Sequence, residues 1–381
     1  MDNQKSPKQP TSQDFTKAAF KLLANPLIEP TVEFIAALTK PPENPEDKDI
    51  KFFCFCVANY PGCFSLKLMR VYSSKEPRVP YEIREGAMRC LHVIFIIEEA
   101  SLNLAVVHIL SPILISCLEE QVVSDTSLKI ISMLVNRVAF EIFTIHEETW
   151  YDLREFISSK AESEFVKVVS VFKSLSMPLD GEEFLIPLME NLLPAILKRL
   201  GDNEEDSSGQ WGLAFVGGFC AAVHLLETTR VDLVENLANE MLKSVKRGME
   251  LGFLGKALRD VEIAVVEQLW WYCTTEFRFV LGLIQRVEAI VTEETTKNVL
   301  QRIKIVVKKK MLEYASEIDN GDEDCQRECF GFGFDFDLCS LGVYILDASC
   351  TSKQILKGGR KHKPFIVSRR CDVPSFSVSL L

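Results

Sequence analysis

The chain has 381 residues, 47% hydrophobic and 25% charged, which excludes disorder over most of its length and allows a large core. A formal net charge of -11 argues against nucleic acid, whose binding rests on many Lys and Arg side chains neutralising phosphates, so no nucleic-acid partner is expected. The polar opening MDNQKSPKQPTSQD lacks a secretory apolar run and no N-x-[ST] acceptor occurs, so the twelve cysteines are expected reduced, in cytoplasm or nucleus.

Residues 1–14 are expected to be a disordered N-terminal segment, 15–318 an all-α solenoid, and 319–381 a poorly structured C-terminal tail. Pro30 and Pro80 stand where a first helical turn tolerates proline. Polar breaks at Pro41–Asp49 and Lys75–Pro80 precede a helix predicted to start near Tyr81. The uncharged run Leu102–Leu118 contains Asn103, His108 and Pro112 and is flanked by glutamates. A membrane span needs about 20 mainly apolar residues, so this run is read as a buried solenoid helix, and no membrane span is expected.

Further leading helices are predicted near Thr126, Ser163, Gln210, Phe253 and Thr295, with breaks at Met177–Glu183 and Gly201–Gly209. Three stripes follow the spacing of one helix face: Phe165, Val168, Val169, Phe172 and Leu175; Val234, Leu237, Met241, Val245 and Met249; Leu300, Ile303, Val307, Met311 and Tyr314. Opposite the last stand Lys297, Gln301, Lys304 and Lys308, a solvated face. Asp232 and Glu235 are spaced as a capping box. The aromatic residues Trp211, Phe215, Phe219, Trp270 and Phe277 are expected to pack in the core. From Tyr81 to Thr295 the leading helices recur every 37–47 residues with two helical patterns per interval, the period of HEAT and armadillo arrays. SPILISCL (Ser111–Leu118) and LPAILKRL (Leu193–Leu200) echo each other, each with a proline before an apolar turn.

WYDLREFI (Trp150–Ile157), FLIPLMENLLPAILKRL (Phe184–Leu200), AFVGGFCAAVHLLE (Ala214–Glu227) and RDVEIAVVEQLWWYCTTEFRFVLGL (Arg259–Leu283) resemble a plant family known as domain of unknown function 577. The resemblance spans about 15 to 315. It implies a plant origin and an armadillo-type helical fold, and it brings no catalytic residues.

Chemistry is sparse. His92, His108 and His224 lie in apolar helices and are read as hydrogen-bonded packing histidines. His146 opens HEETW, where Trp150 takes the place of the second histidine of H-E-x-x-H. In GFLGKALRD (Gly252–Asp260), Ala257 replaces the Ser or Thr that a phosphate-binding Gly-Lys pair needs; GFGFDF (Gly331–Phe336) lacks the third glycine of a dinucleotide loop. Glu204, Glu205 and Asp206 read as a solvated loop. Cys325-x3-Cys329 has no second knuckle, and Cys339, Cys350 and Cys371 do not supply one, so no zinc, other metal or cofactor is expected. KQILKGGRKHKPFIVSRR (Lys353–Arg370) carries seven Lys or Arg and no acid; it is read as an unconstrained end, with nuclear import the alternative. The expected function is a non-enzymatic protein–protein interaction scaffold or adaptor. The alternatives are a transport-receptor-like or nuclear adaptor role and an enzyme with an unrecognised site.

Overall fold

The computed structural model describes residues 11–39, 48–76, 79–97, 103–120, 124–179, 181–201, 208–226, 228, 230–267 and 274–318. These residues form fifteen α-helices and no strand. Contacts divide the described residues into two compact units, with the chain passing from the first to the second after Glu141.

The first unit holds α1 (Ser12–Leu23), α2 (Glu29–Leu38), α3 (Lys48–Asn59), α4 (Pro61–Tyr72), α5 (Tyr81–Ile97), α6 (Leu104–Glu119) and α7 (Asp125–Phe140). Helix α1 starts at Ser12, inside the stretch expected to be disordered, because Thr11 and Asp14 form a capping box there. Pro30 sits in the first turn of α2 and Pro61 in that of α4. Asn103 caps α6 by accepting from Ala105 N at 2.8 Å, and Ser124 caps α7 by accepting from Ser127 N at 3.1 Å. Helix α4 packs on α5 and α6, and α7 on α5 and α6, the neighbour and next-neighbour pattern of a solenoid.

A buried polar node joins α5 to α7. Ser124 Oγ donates to Ser127 Oγ at 2.9 Å, and Ser127 Oγ donates to Glu85 Oε1 at 2.5 Å. Tyr72 reaches Ser127 from α4, and burial pushes its phenol up to about 12. A buried carboxylate needs its donors. Ser127→Ala is expected to lower stability by about 1 kcal/mol in urea denaturation. Glu85→Gln in that background should restore part of the loss, since the amide carries no charge to solvate. An unchanged midpoint in Ser127→Ala would show that the node does not hold the helices.

The second unit holds α8 (Tyr151–Lys160), α9 (Phe165–Phe172), α10 (Ile186–Gly201), α11 (Ser208–Leu225), α12 (Val231–Glu250), α13 (Leu254–Glu267), α14 (Thr274–Ile290) and α15 (Glu294–Ile318). Helices α9, α11, α13 and α15 pack in succession as one layer, and α8, α10, α12 and α14 as the other. Short connections return the chain between layers, so this unit is an α-solenoid of helix pairs. The leading helices α5, α7, α9, α11, α13 and α15 begin at Tyr81, Asp125, Phe165, Ser208, Leu254 and Glu294, each within two residues of its predicted start.

The predicted stripes face the core over most of their length. All five residues from Phe165 to Leu175 are buried, as are Val234, Leu237, Met241 and Val245, and Leu300, Ile303 and Val307; Met249 and Met311 at the stripe ends are only half-buried, and the Tyr314 side chain lies outside those described. Trp211, Phe215, Phe219 and Phe277 are buried as expected; Trp270 lies outside the described residues. Helix α11 is buried all round from Ala214 to Leu225 and touches α9, α10, α12 and α13. Its glycine pair permits that closeness: a Cβ on Gly217 would lie 2.7 Å from Val169. Arg199 of α10 stacks on Phe165 at 4.2 Å and donates to Gln210 Oε1, Glu162 Oε2 and the Glu162 carbonyl, tying α9, α10 and α11 together. Pro112 and Pro194 stand at matching places inside 16-residue helices, in keeping with the echo in sequence.

Two expectations change. Asp232 does not cap α12: the N-cap is Arg230, and Asp232 binds its guanidinium through two 3.0 Å hydrogen bonds, which satisfy the carboxylate by a shorter route. Helix α12 ends instead in a Schellman motif. Gly252 adopts a φ of 72°, Phe253 N donates to Gly248 O at 3.0 Å and Gly252 N to Met249 O at 3.0 Å. No single helix among the described residues is long and apolar enough to cross a membrane; α3 and α4 reach that measure only together, and they turn by 118° between them.

Candidate functional site

The histidines occupy three environments. His224 is fully buried on α11 beside the Phe172 ring, and desolvation drives its pKa down to about 3 against a hydrogen bond with the Leu175 backbone. His92 is half-buried, and burial with the nearby Lys129 lowers its pKa. His108 corrects the sequence reading: it lies on the exposed face of α6, because Val107, Leu110, Leu114 and Leu118 take the core side. Cys90, Cys117 and Cys220 are buried, and burial pushes the Cys90 and Cys117 thiols up to about 12. Such thiols are packing groups and poor nucleophiles. Among the described residues no cluster of His, Cys, Asp or Glu has the arrangement of a metal site. The Gly-Lys segment GFLGKALRD contributes the Schellman glycine and then enters α13. Glu204–Asp206, Cys273 and the whole tail, with its five cysteines and basic run, lie outside the described residues.

One surface of the second unit departs from regular geometry. Two π-helical turns, Glu141–Ile145 and Gly181–Leu185, meet through the Phe143 and Phe184 rings at 4.8 Å. Wider turns of this kind are frequent at functional sites. The segment after the first turn carries further strain. Glu147 has a φ of 54°, a left-handed conformation uncommon for a side-chain-bearing residue. His146 Nε2 and the Nε1 of the buried Trp150 have no hydrogen-bond partner. HEETW therefore forms a bend leading to α8, and His146 is not on a helix at all.

Helix α8 and the second π-helical turn bring three polar side chains together beside the bend. Tyr151, about half exposed, donates its hydroxyl to Glu183 Oε2 at 3.0 Å, and Arg154 donates to the Glu183 carbonyl at 2.6 Å. The Arg154 guanidinium lies 5.0 Å from the Tyr151 ring centre. The Glu183 carboxylate holds the Tyr151 phenol above its usual pKa, while Thr149 opposes this weakly. A phenol held in its protonated form donates hydrogen bonds and does not act as a base. No periodic signal marked the arrangement, since the partners are separated by 32 residues and joined by unusual turns.

Two stacked helix layers and a repeat of 40–46 residues between leading helices define a helical repeat protein. Residues 107–275 match the family model described as a repeat of unknown function, DUF577, so the resemblance read in the sequence holds across that segment. No curated protein matches the chain. Among solved structures the chain is similar to a circular tandem repeat protein with novel repeat topology and enhanced subunit contact surfaces, at 15% identity and a TM-score of 0.22. That likeness covers 92% of this chain and 78% of the other.

Proposed function

We propose that this chain is a non-enzymatic scaffold or adaptor that holds other proteins on its helical array. The observation that carries the reading is the Tyr151–Arg154 stack, half exposed and fixed by Glu183 on a packed framework. Tyrosine and arginine dominate the energetics of protein interfaces because each presents a large, stiff contact area with polar ends. Here their ordering cost is met before any partner arrives.

Affinity purification of the tagged full-length chain is expected to recover a protein that binds the purified chain directly. Tyr151→Ala with Arg154→Ala should weaken that binding by about tenfold or more, in line with loss of interface anchors. Recovery of no direct binder, together with turnover of a small molecule by the purified chain, would replace this reading with an enzymatic one.

A further inference from the structure

We infer that the outer face of α15 binds an acidic segment of a partner protein, a surface separate from the Tyr151 patch and resting on the scaffold reading. Helix α15 turns Leu300, Ile303 and Val307 into the core. Its other side exposes Arg302, Ile305, Lys308, Lys309, Leu312 and Glu313, spaced as one stripe. Ile305 is 65% exposed and Leu312 70% exposed, two turns apart, with Lys308 and Lys309 between them. The helix carries six Lys or Arg against three Glu, in a chain whose net charge is -11.

The face is held rigidly. Arg302 bonds both carboxylate oxygens of Glu262 on α13, at 2.9 and 3.0 Å, and Lys310 donates to the Val266 carbonyl at 3.2 Å. Beside this clamp Ile263 and Val266 are also exposed. Arg302 is paired with Glu262, and Glu313 lies 3.6 Å from Lys309, so the positive charge of the face rests on Lys308 and on the part of Lys309 that this exposed pair leaves unscreened.

Charge decides the occupant. Pairing the stripe with a second copy about a two-fold axis would set four lysines against two Glu313 carboxylates, a net like charge that opposes association. A lipid surface needs a broad apolar face, whereas here Ile305, Leu312, Ile263 and Val266 are interrupted by Arg302, Lys308, Lys309 and the carboxylates of Glu262 and Glu313. An acidic segment with apolar residues about 10 Å apart complements both the lysines and the Ile305–Leu312 spacing.

The test uses the full-length chain and a fluorescent helical peptide with leucines seven apart and glutamates between them. Binding is followed by anisotropy, with a lysine-for-glutamate peptide as control. Lys308→Glu with Lys309→Glu should weaken binding about tenfold or more, and Ile305→Ala with Leu312→Ala should do so with the charges intact, the helical circular dichroism staying unchanged in both. Equal affinity in wild type and variants, no binding at all, or equal binding of the lysine peptide each overturns the assignment. Sedimentation with phosphatidylserine vesicles that the same substitutions abolish would give the face to a membrane. A dimer lost in Ile305→Ala with Leu312→Ala would give it to a second copy. The scaffold reading fails separately, through the capture experiment above, and survives if the probe is simply not read by α15.

Discussion

Trp211→Ala is expected to cost about 3–5 kcal/mol. Trp211 is fully buried at the start of α11 and stacks on Phe215 at 5.3 Å. Its ring lies where a side chain on Gly248 of α12 would stand, so a Cβ added there overlaps the indole. Gly248→Ala should therefore destabilise. In an unobstructed helix the change would gain about 1 kcal/mol. Overpacking costs about 1–3 kcal/mol and reverses the sign. In the Trp211→Ala background the obstruction is gone, and Gly248→Ala should become neutral or stabilising. Urea denaturation of the four chains closes the cycle. A Gly248→Ala variant more stable than the parent would mean that α11 and α12 do not approach as described.

This pair shows what the sequence can and cannot reveal. Trp211 was assigned to the core from its apolar segment, and it is there. Nothing in SVKRGMELG pairs Gly248 with an indole 37 positions earlier, because the contact depends on how two helices cross. Helix starts were legible because proline, glycine and charge interrupt apolar stripes at regular intervals, and burial follows those stripes closely at Phe165–Leu175. Faces of strongly apolar helices were harder. Helix α6 has apolar residues on both sides, so His108 gave no sign that it points outward while Val107 points in. The candidate site was least legible. A π-helical turn such as Glu141–Ile145 changes the hydrogen-bond ladder without changing composition, and the Tyr151–Glu183 contact joins segments that no local pattern relates. The stripe on α15 was half visible: Lys308 was placed on a solvated face with Lys297, Gln301 and Lys304, of which Lys304 is instead tucked against Glu288, while Lys309 was not singled out and the exposure of Ile305 and Leu312 emerges only from the packing of α13 beside it.

Lowering the pH from 7 to 5 is expected to remove about 2 kcal/mol of stability through His224 alone. The ring is fully buried between Phe172 and the body of α11, and burial holds it neutral down to about pH 3. In the unfolded chain it takes a proton near pH 6.5. Between these values the unfolded state binds the extra proton, so stability is complete above about pH 6.5 and falls as pH drops toward 3. The described carboxylates with lowered pKa values, Asp14, Glu162, Glu164, Asp232 and Glu293, lose their contribution only near and below their ordinary range, so the pH 7 to 5 window belongs to histidine. His92 acts in the same direction but is only partly buried, and water reduces its share. His224→Gln keeps a polar side chain of similar reach and removes the titration. It should cost stability at pH 7, where the neutral imidazole packs on Phe172, and should flatten the loss between pH 7 and 5. The two denaturation series, measured at matched ionic strength, are expected to converge as the pH falls. If both chains lose stability in parallel over that window, the ring is solvated in the folded state and the packing of α11 against α9 must be redrawn.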